Sequence, residues 1–237
     1  MSISWFCVWQ QRDGSSKPEL DAYDLNALQA LLRGCPKMVE GHIMTPVDAH
    51  DPYFADTAHQ SPPLVLQLEF NKVSDLEELL KPAGYLCGLV DPAFLPSIKG
   101  AEPAHQAMLT RRYPVANDVV ATEDGHCVSY WVEYSGPAED ENAWLTHYTA
   151  SHPHLLSKFP GIRKIEIYTP AVVICGLPMP VRPCMQRNKT VFDTPAAMSA
   201  AMQSPVRPAL REDFHKLPPF KGNALHYPYR TVSCVGA

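Results

Sequence analysis

The stretch "WLTHYTASHPHLLSKFPGIRKIEIYTP" (144–170) contains a helical segment, a Pro-Gly pair and a strand-like segment in direct succession. The earlier stretch "LNALQALLRGCPKMVEGHIMTP" (25–46) has the same order, and Gly34 supplies its helix stop. Side chains alternate from Met38 to Met44, which is the spacing of a strand. In both stretches a proline stands nine residues before the threonine of a Thr-Pro pair. The two halves of the chain are therefore predicted to repeat one structural unit.

Each half predicts the order strand, helix, strand, strand, helix, strand. In the first half the strands are predicted at 3–10, 35–46, 63–70 and 107–115, and the helices at 20–34 and 73–81. In the second half the strands are predicted at 126–134, 160–170, 185–193 and 223–232, and the helices at 139–159 and 194–202. Ser74 and Thr194 are the predicted N-caps of the second helix in each half, and Pro195 suits the first helical position. The proline-containing connections are predicted as ordered loops at 46–63, 82–103, 170–183 and 205–219.

This order is the ferredoxin-like β-α-β-β-α-β plan, an α+β fold with a four-stranded antiparallel sheet. Helices cover one face of such a sheet, and the other face needs cover as well. Two sheets can cover each other, so we predict two ferredoxin-like units, 1–118 and 119–237, that pack into one pseudo-dimeric α/β barrel. The boundary is predicted near 116–124. The inside of the barrel is the predicted pocket.

Composition argues against several classes of function. The chain has 237 residues, a net charge of −5 and no basic run, so nucleic acid is not an expected partner. No apolar stretch approaches the length of a membrane span, and the N-terminus lacks the cationic segment of a signal peptide. Seven cysteines without a CxxC pair predict reduced thiols and a cytoplasmic location.

The second half resembles a known family. Its features are the 144–170 stretch, then "NKTVFDTPAAMSAAMQSPVRPALREDFHKLPPF" (188–220) with an SP…L..D…F pattern, and then "HYPY" (226–229). Over about 126–230 this is similar to the EthD-like branch of the dimeric α/β-barrel superfamily. The first half matches only in the order of its elements and has no counterpart of "HYTASHPH". The resemblance implies a small-molecule pocket, in a superfamily that includes cofactor-independent monooxygenases, isomerases and haem enzymes.

His152 is the leading candidate for a catalytic acid or base, because it matches the family's helix histidine and imidazole exchanges protons near neutral pH. The alternative is that Pro153 ends the helix and His152 bonds its last carbonyls. Tyr227 is the second catalytic candidate, as a hydrogen-bond partner. The candidate ligand-binding residues are Tyr130, Trp131, Tyr148 and His226, and ordinary core packing is the alternative for each.

A metal site is not expected. His147 and His152 are about 140° apart on a helix, and no HExxH or paired-cysteine motif accompanies them. Asp193 precedes a helix and is predicted to act in capping. No GxGxxG, P-loop or GxSxG motif is present, so no cofactor is predicted.

These observations favour a cofactor-independent enzyme, a proton-transfer isomerase, dehydratase or decarboxylase, acting on a small hydrophobic or aromatic catabolic intermediate. The alternatives are a non-catalytic ligand-binding barrel and a haem- or O₂-using member of the superfamily. Neither the substrate nor catalysis itself follows from the sequence. A homodimer is a further option, because exposed sheet edges at 126–134 or 223–232 could pair.

Overall fold

The computed structural model describes residues 2–11, 18–54, 61–122 and 125–236. The strands are β1 (Ser2–Gln11), β2 (Glu40–Pro46), β3 (Leu64–Phe70), β4 (Ala101–Tyr113), β5 (His126–Tyr134), β6 (Ile162–Pro170), β7 (Gln186–Phe192) and β8 (Ala224–Cys234). The α-helices are α1 (Ala22–Arg33), α2 (Val73–Leu79), α3 (Glu141–Leu156), α4 (Pro195–Met202) and α5 (Val206–Phe214). Two 3₁₀-helices, Tyr85–Val90 and Pro96–Ile98, lie between α2 and β4.

The strands form a closed barrel in the order β1-β3-β2-β8-β5-β7-β6-β4. Every neighbouring pair is antiparallel. Each half contributes an equivalent run, β4-β1-β3-β2 and β8-β5-β7-β6, which is the ferredoxin-like strand order. The pairs β2–β8 and β4–β6 join the two runs. The predicted pseudo-dimeric barrel of two ferredoxin-like units is therefore confirmed.

Barrel closure corrects the expectation about sheet edges. Strand β5 pairs with both β7 and β8, and β8 also pairs with β2. Neither strand has a free edge, because β5 lies between two strands of its own unit and the first unit supplies β2 as the second partner of β8. Pairing of copies through β5 or β8 is therefore ruled out in this fold.

Local signals explain most of the helix starts. Asp21, Asp140 and Thr194 each accept a hydrogen bond from a backbone N–H of the first turn, as expected of N-caps. The prediction for Thr194 is confirmed, and the prediction for Ser74 is wrong. Helix α2 begins at Val73, so Ser74 already lies in its first turn, and the N-cap Lys72 makes no side-chain cap bond.

The helix predicted at 139–159 is confirmed as α3, which continues past Pro153 to Leu156, so the alternative in which Pro153 ends the helix is wrong. One prediction about the second unit needs correction. The connection predicted as a loop at 205–219 contains α5, whose Arg207, Leu210 and Asp213 form a buried face at helical spacing. Residues 55–60 of the predicted loop 46–63 and residues 123–124 of the predicted boundary lie outside the described residues.

Side chains pack in three layers. One apolar cluster lies between the first unit's sheet and its helices, and a second lies between the other sheet and α3, α4 and α5. The third fills the barrel, where Trp131, Tyr227 and their neighbours meet buried ion pairs such as Glu166–Lys189. His152 lies on the helix-covered face, so its cavity is not the predicted pocket inside the barrel. Across the described residues, none of the helices has the length and apolar character needed to cross a membrane.

Candidate functional site

A buried histidine–carboxylate pair stands between α3 and α5. The Nδ1 atom of His152 lies 2.8 Å from the Oδ2 atom of Asp213, and both residues are 7% exposed. The ring of Tyr148, one helical turn earlier on α3, packs against the imidazole with centroids 4.7 Å apart. The Tyr148 hydroxyl accepts a hydrogen bond of 2.6 Å from the Nδ2 atom of Asn188 on β7. The imidazole is thus fixed from two sides.

The pKa shifts of the pair define its protonation state. Burial lowers the pKa of His152, and the hydrogen bond and charge of Asp213 only partly oppose this effect. Burial raises the pKa of Asp213, but the hydrogen bonds from His152 and Ser151 and the charges of His152 and His147 together outweigh it, so this pKa lies below its usual value. The pair is therefore a neutral imidazole beside a carboxylate at neutral pH. An ionised carboxylate only accepts, so Nδ1–H donates to Asp213 and Nε2 carries the lone pair of a base.

His152 lines a small cavity between the second unit's sheet and its helices. The cavity measures about 30 Å³, which is enough for about one water molecule. Its lining combines aromatic and polar side chains: Tyr130, Val132, Tyr134, His152, Leu156, Phe159, Asn188, Thr190, Met202, Arg207, Leu210 and His226. The hydroxyl of Thr190 is buried and has no hydrogen-bond partner within the described part of the chain. A buried hydroxyl without a partner indicates a place where a polar ligand atom or a water fits.

A carboxylate from the first unit also reaches this site. Asp51, in the connection that follows β2, accepts hydrogen bonds from Arg207 at 2.9 and 3.1 Å and from the Tyr130 hydroxyl. Burial raises the pKa of Asp51, but the charge and hydrogen bonds of Arg207 and Tyr130 bring it below its usual value. The ring of Phe54 stacks on His226 with centroids 3.6 Å apart. Burial and the charge of Arg207 lower the pKa of His226 to about 3, so this histidine is neutral.

The matching region of the first unit is apolar. Strands β3 and β7 hold the same place in their units, and their helix-facing residues differ in kind. Those of β3 are Leu64, Leu66, Leu68 and Phe70, and those of β7 are Gln186, Asn188, Thr190 and Phe192. Burying a polar group costs free energy unless it is bonded, so polar residues on a sheet face packed under helices need a reason other than stability. Among the described residues of these two strands, those of the second unit therefore have the polar composition of a site.

The structure brings together four of the six predicted site residues. His152, Tyr130 and His226 line one cavity, and Tyr148 packs against His152. Trp131 and Tyr227 belong to the barrel-interior cluster, on the other face of the sheet. The reason is strand alternation, which points Trp131 away from Tyr130 and Tyr227 away from His226. A direct partnership of Tyr227 with His152 is therefore wrong.

The remaining histidines of α3 do not converge on His152. His154 is exposed, and its ring meets the edge of Tyr113. His147 is half-buried. Within the described residues no group of three or more histidine, cysteine or acidic side chains is placed to hold a metal ion. The expectation for Asp193 is also corrected, since its carboxylate forms a bidentate pair with Arg163 while Thr194 caps α4.

Three charged site residues were missed in the sequence: Asp51, Arg207 and Asp213. The signal for Asp213 was present, because it is the acidic residue of the SP…L..D…F pattern. Assigning that segment to a loop removed the helical spacing that places Arg207 and Asp213 on one face. Asp51 had no signal, since its contact crosses from the first unit to a residue 156 positions away.

Neither a protein-family model nor a curated protein matches the chain. Several solved structures do. An anthrone oxidase-like protein is similar over 99% of this chain and 93% of its own, with 11% identity and a TM-score of 0.64. A proposed monooxygenase from Fusobacterium nucleatum is similar over 98% of this chain and 91% of its own, with 8% identity and a TM-score of 0.54. An EthD family protein from Bacillus halodurans matches at 25% identity over 41% of this chain and 97% of its own, with a TM-score of 0.31.

At such low identities the two full-length matches concern the fold. They agree with the strand order and barrel closure described above. The chain has the fold of the dimeric α/β-barrel superfamily, with both halves of the barrel supplied by one polypeptide.

Proposed function

We propose that the protein is an enzyme that moves a proton on a small hydrophobic or aromatic metabolite, with His152 as the base. The observation that carries this proposal is the buried pair of His152 and Asp213 at a cavity lined by aromatic and polar groups. A purely structural histidine does not require a buried carboxylate partner, a neutral ring and an adjacent cavity together. Perturbed titratable groups in a cleft are typical of functional sites.

Each residue has a role in this proposal. His152 Nε2 takes a proton from a carbon acid and returns it at another position, which is an isomerisation. In an elimination His152 keeps the proton, the C–H electron pair forms the new double bond, and a leaving group departs from the adjacent carbon with its bonding pair. Asp213 holds the tautomer and stabilises the imidazolium that forms. Tyr130 and Tyr134 supply flat surfaces for a ring, and the Thr190 hydroxyl is available to a polar atom of the ligand.

The test measures the proton transfer itself and needs no knowledge of the final product. The protein is incubated in D₂O with a panel of aromatic ketones and 1,3-dicarbonyl compounds, and deuterium incorporation is followed by mass spectrometry. We expect exchange by the wild type, and a fall of about 10²-fold to 10⁴-fold in His152→Gln. His154→Gln is the matched control, because His154 is an exposed histidine on the same helix. Equal exchange by wild type and His152→Gln would contradict the proposal.

An O₂-using reaction is the second candidate. It is favoured by the full-length fold neighbours, which are described as anthrone oxidase-like and as proposed monooxygenases. Removal of a proton gives an electron-rich carbanion, so the same base serves the first step. Oxygen consumption with the same panel, absent in His152→Gln, would select this reaction, and a Soret band in protein from its own host would indicate haem. Ligand binding without exchange or oxygen uptake would indicate a binding protein.

A further inference from the structure

The connection that follows β2 in the first unit places two of its side chains, Asp51 and Phe54, in the second unit's site. Within residues 47–54 Asp51 is the buried residue, while Asp48, His50, Pro52 and Tyr53 are exposed. The segment is held by polar contacts, since the His50 N–H donates to the Ser199 hydroxyl at 3.0 Å and Asp51 binds Arg207. It also has partly buried apolar contacts, since Val47 and Ala49 pack against the second unit's apolar cluster. The buried side chain of this segment is a carboxylate, whereas a loop that belongs to the core buries apolar side chains.

The equivalent connection of the other unit makes this difference clear. Residues 171–184 follow β6 and cross to the first unit, where Leu177 and Met179 are buried in its apolar cluster. Its backbone is also tied to the first unit, since Gly176 N–H donates to the Leu80 carbonyl at 2.9 Å. Burial of apolar side chains makes that connection a permanent part of the core. The segment 47–54 instead places a charge and a ring on the site.

The groups that hold Asp51 belong to rigid elements. Arg207 lies on α5, Tyr130 on β5 and His226 on β8, and Arg207 is 7% exposed. Arginine binds a carboxylate through two parallel hydrogen bonds, and a buried guanidinium needs such a partner. Beside this anion position, His226 offers a flat face that the Phe54 ring covers. The site is therefore occupied by a carboxylate, from Asp51, and by an adjacent aromatic ring, from Phe54.

We propose that Asp51 and Phe54 occupy the binding position of an aromatic carboxylate ligand, which displaces residues 47–54 and takes their place on Arg207, Tyr130 and His226. This inference rests on the proposed function and names the ligand class of the same site. Exchange of one carboxylate for another leaves the buried charge balance of Arg207 unchanged. Displacement of residues 47–54 also enlarges the cavity next to His152, which measures about 30 Å³ while the segment is in place.

The test uses 4-fluorobenzoate as the probe and 4-fluorobenzamide as its uncharged counterpart, with binding followed by fluorine NMR. In Asp51→Asn the competing carboxylate is gone, so we expect affinity for 4-fluorobenzoate to rise about tenfold or more over the wild type. Asp48→Asn is the matched control, because it removes an exposed carboxylate from the same segment, and it should bind like the wild type. Arg207→Gln should not bind the probe. Unchanged affinity in Asp51→Asn, or equal binding of the amide, would overturn the proposal.

A second measurement uses the unaltered protein and so does not depend on the folding of a variant. Saturating 4-fluorobenzoate should speed amide hydrogen exchange at His50, whose N–H loses the Ser199 hydroxyl when the segment leaves. Slower or unchanged exchange with bound probe would show that the segment stays in place, against the proposal. The probe has no acidic C–H group, so its binding by the wild type is measured independently of the deuterium transfer that His152→Gln should lose. Failure of ligand displacement is therefore distinguishable from failure of the proposed proton transfer.

Discussion

Replacing Asp213 with asparagine should lower the pKa of His152 further. The Asp213 carboxylate lies 2.8 Å from Nδ1 and is the group that favours the imidazolium against the effect of burial. Asparagine keeps the size of the side chain and removes the charge. Either orientation of the new amide disfavours the charged ring, because neither offers it a carboxylate.

The size of the effect follows from the contact. A hydrogen bond to a charged group contributes about 1.5–3 kcal/mol, and one pKa unit corresponds to about 1.4 kcal/mol. The pKa of His152 should therefore fall by about one to two units in Asp213→Asn. Because the amide can also donate to Nδ1 and move the ring proton to Nε2, proton transfer should fall by about 10²-fold or more.

The assay is an NMR titration of the His152 ring from about pH 4 to about pH 9, with the signal identified by its loss in His152→Gln. Asp193→Asn is the control, since it breaks an ion pair with Arg163 at the surface of the same unit. It should leave the His152 titration in place. An unchanged or higher His152 pKa in Asp213→Asn would refute the role assigned to the carboxylate.

Three further predictions concern stability. His226 has a folded pKa of about 3, below its unfolded value, so unfolding takes up a proton and stability is lost as pH falls below about 6.5. With a discount for its half-buried position, the loss at about pH 4.5 should be about 1–2 kcal/mol, and urea titrations of His226→Phe should show a flatter pH dependence. Thr190→Val should raise the free energy of unfolding by about 1 kcal/mol, because it removes a buried hydroxyl without a partner, and a lower thermal midpoint would contradict this. Lys189→Met should cost about 1.5–3 kcal/mol, because Glu166 loses one of its charged partners and keeps Arg112 and the Tyr168 hydroxyl, and a double variant with Glu166→Leu should recover part of the loss in the same denaturation assay.

Local patterns determined the elements and their order. The strand 126–134 was predicted with the bounds that β5 has, and Thr194 with Pro195 marked the start of α4. These signals are short-range, since alternation and capping depend on neighbours within a few residues. The same signals misled in the connection 205–219, which was predicted as a loop although it contains α5 with Pro208 in its first turn.

The sequence also identified His152, Tyr130, Tyr148 and His226 as site candidates, but not the face on which they meet. That choice depends on which side of β5 and β8 the helices cover, and it separates Tyr130 from Trp131. Only the tertiary structure placed Asp213 on His152 and Asp51 on Arg207, contacts that span 61 and 156 positions in the chain. Such contacts form because the closed barrel brings distant segments together. The periodicity of one segment cannot predict which residue of another segment it will contact.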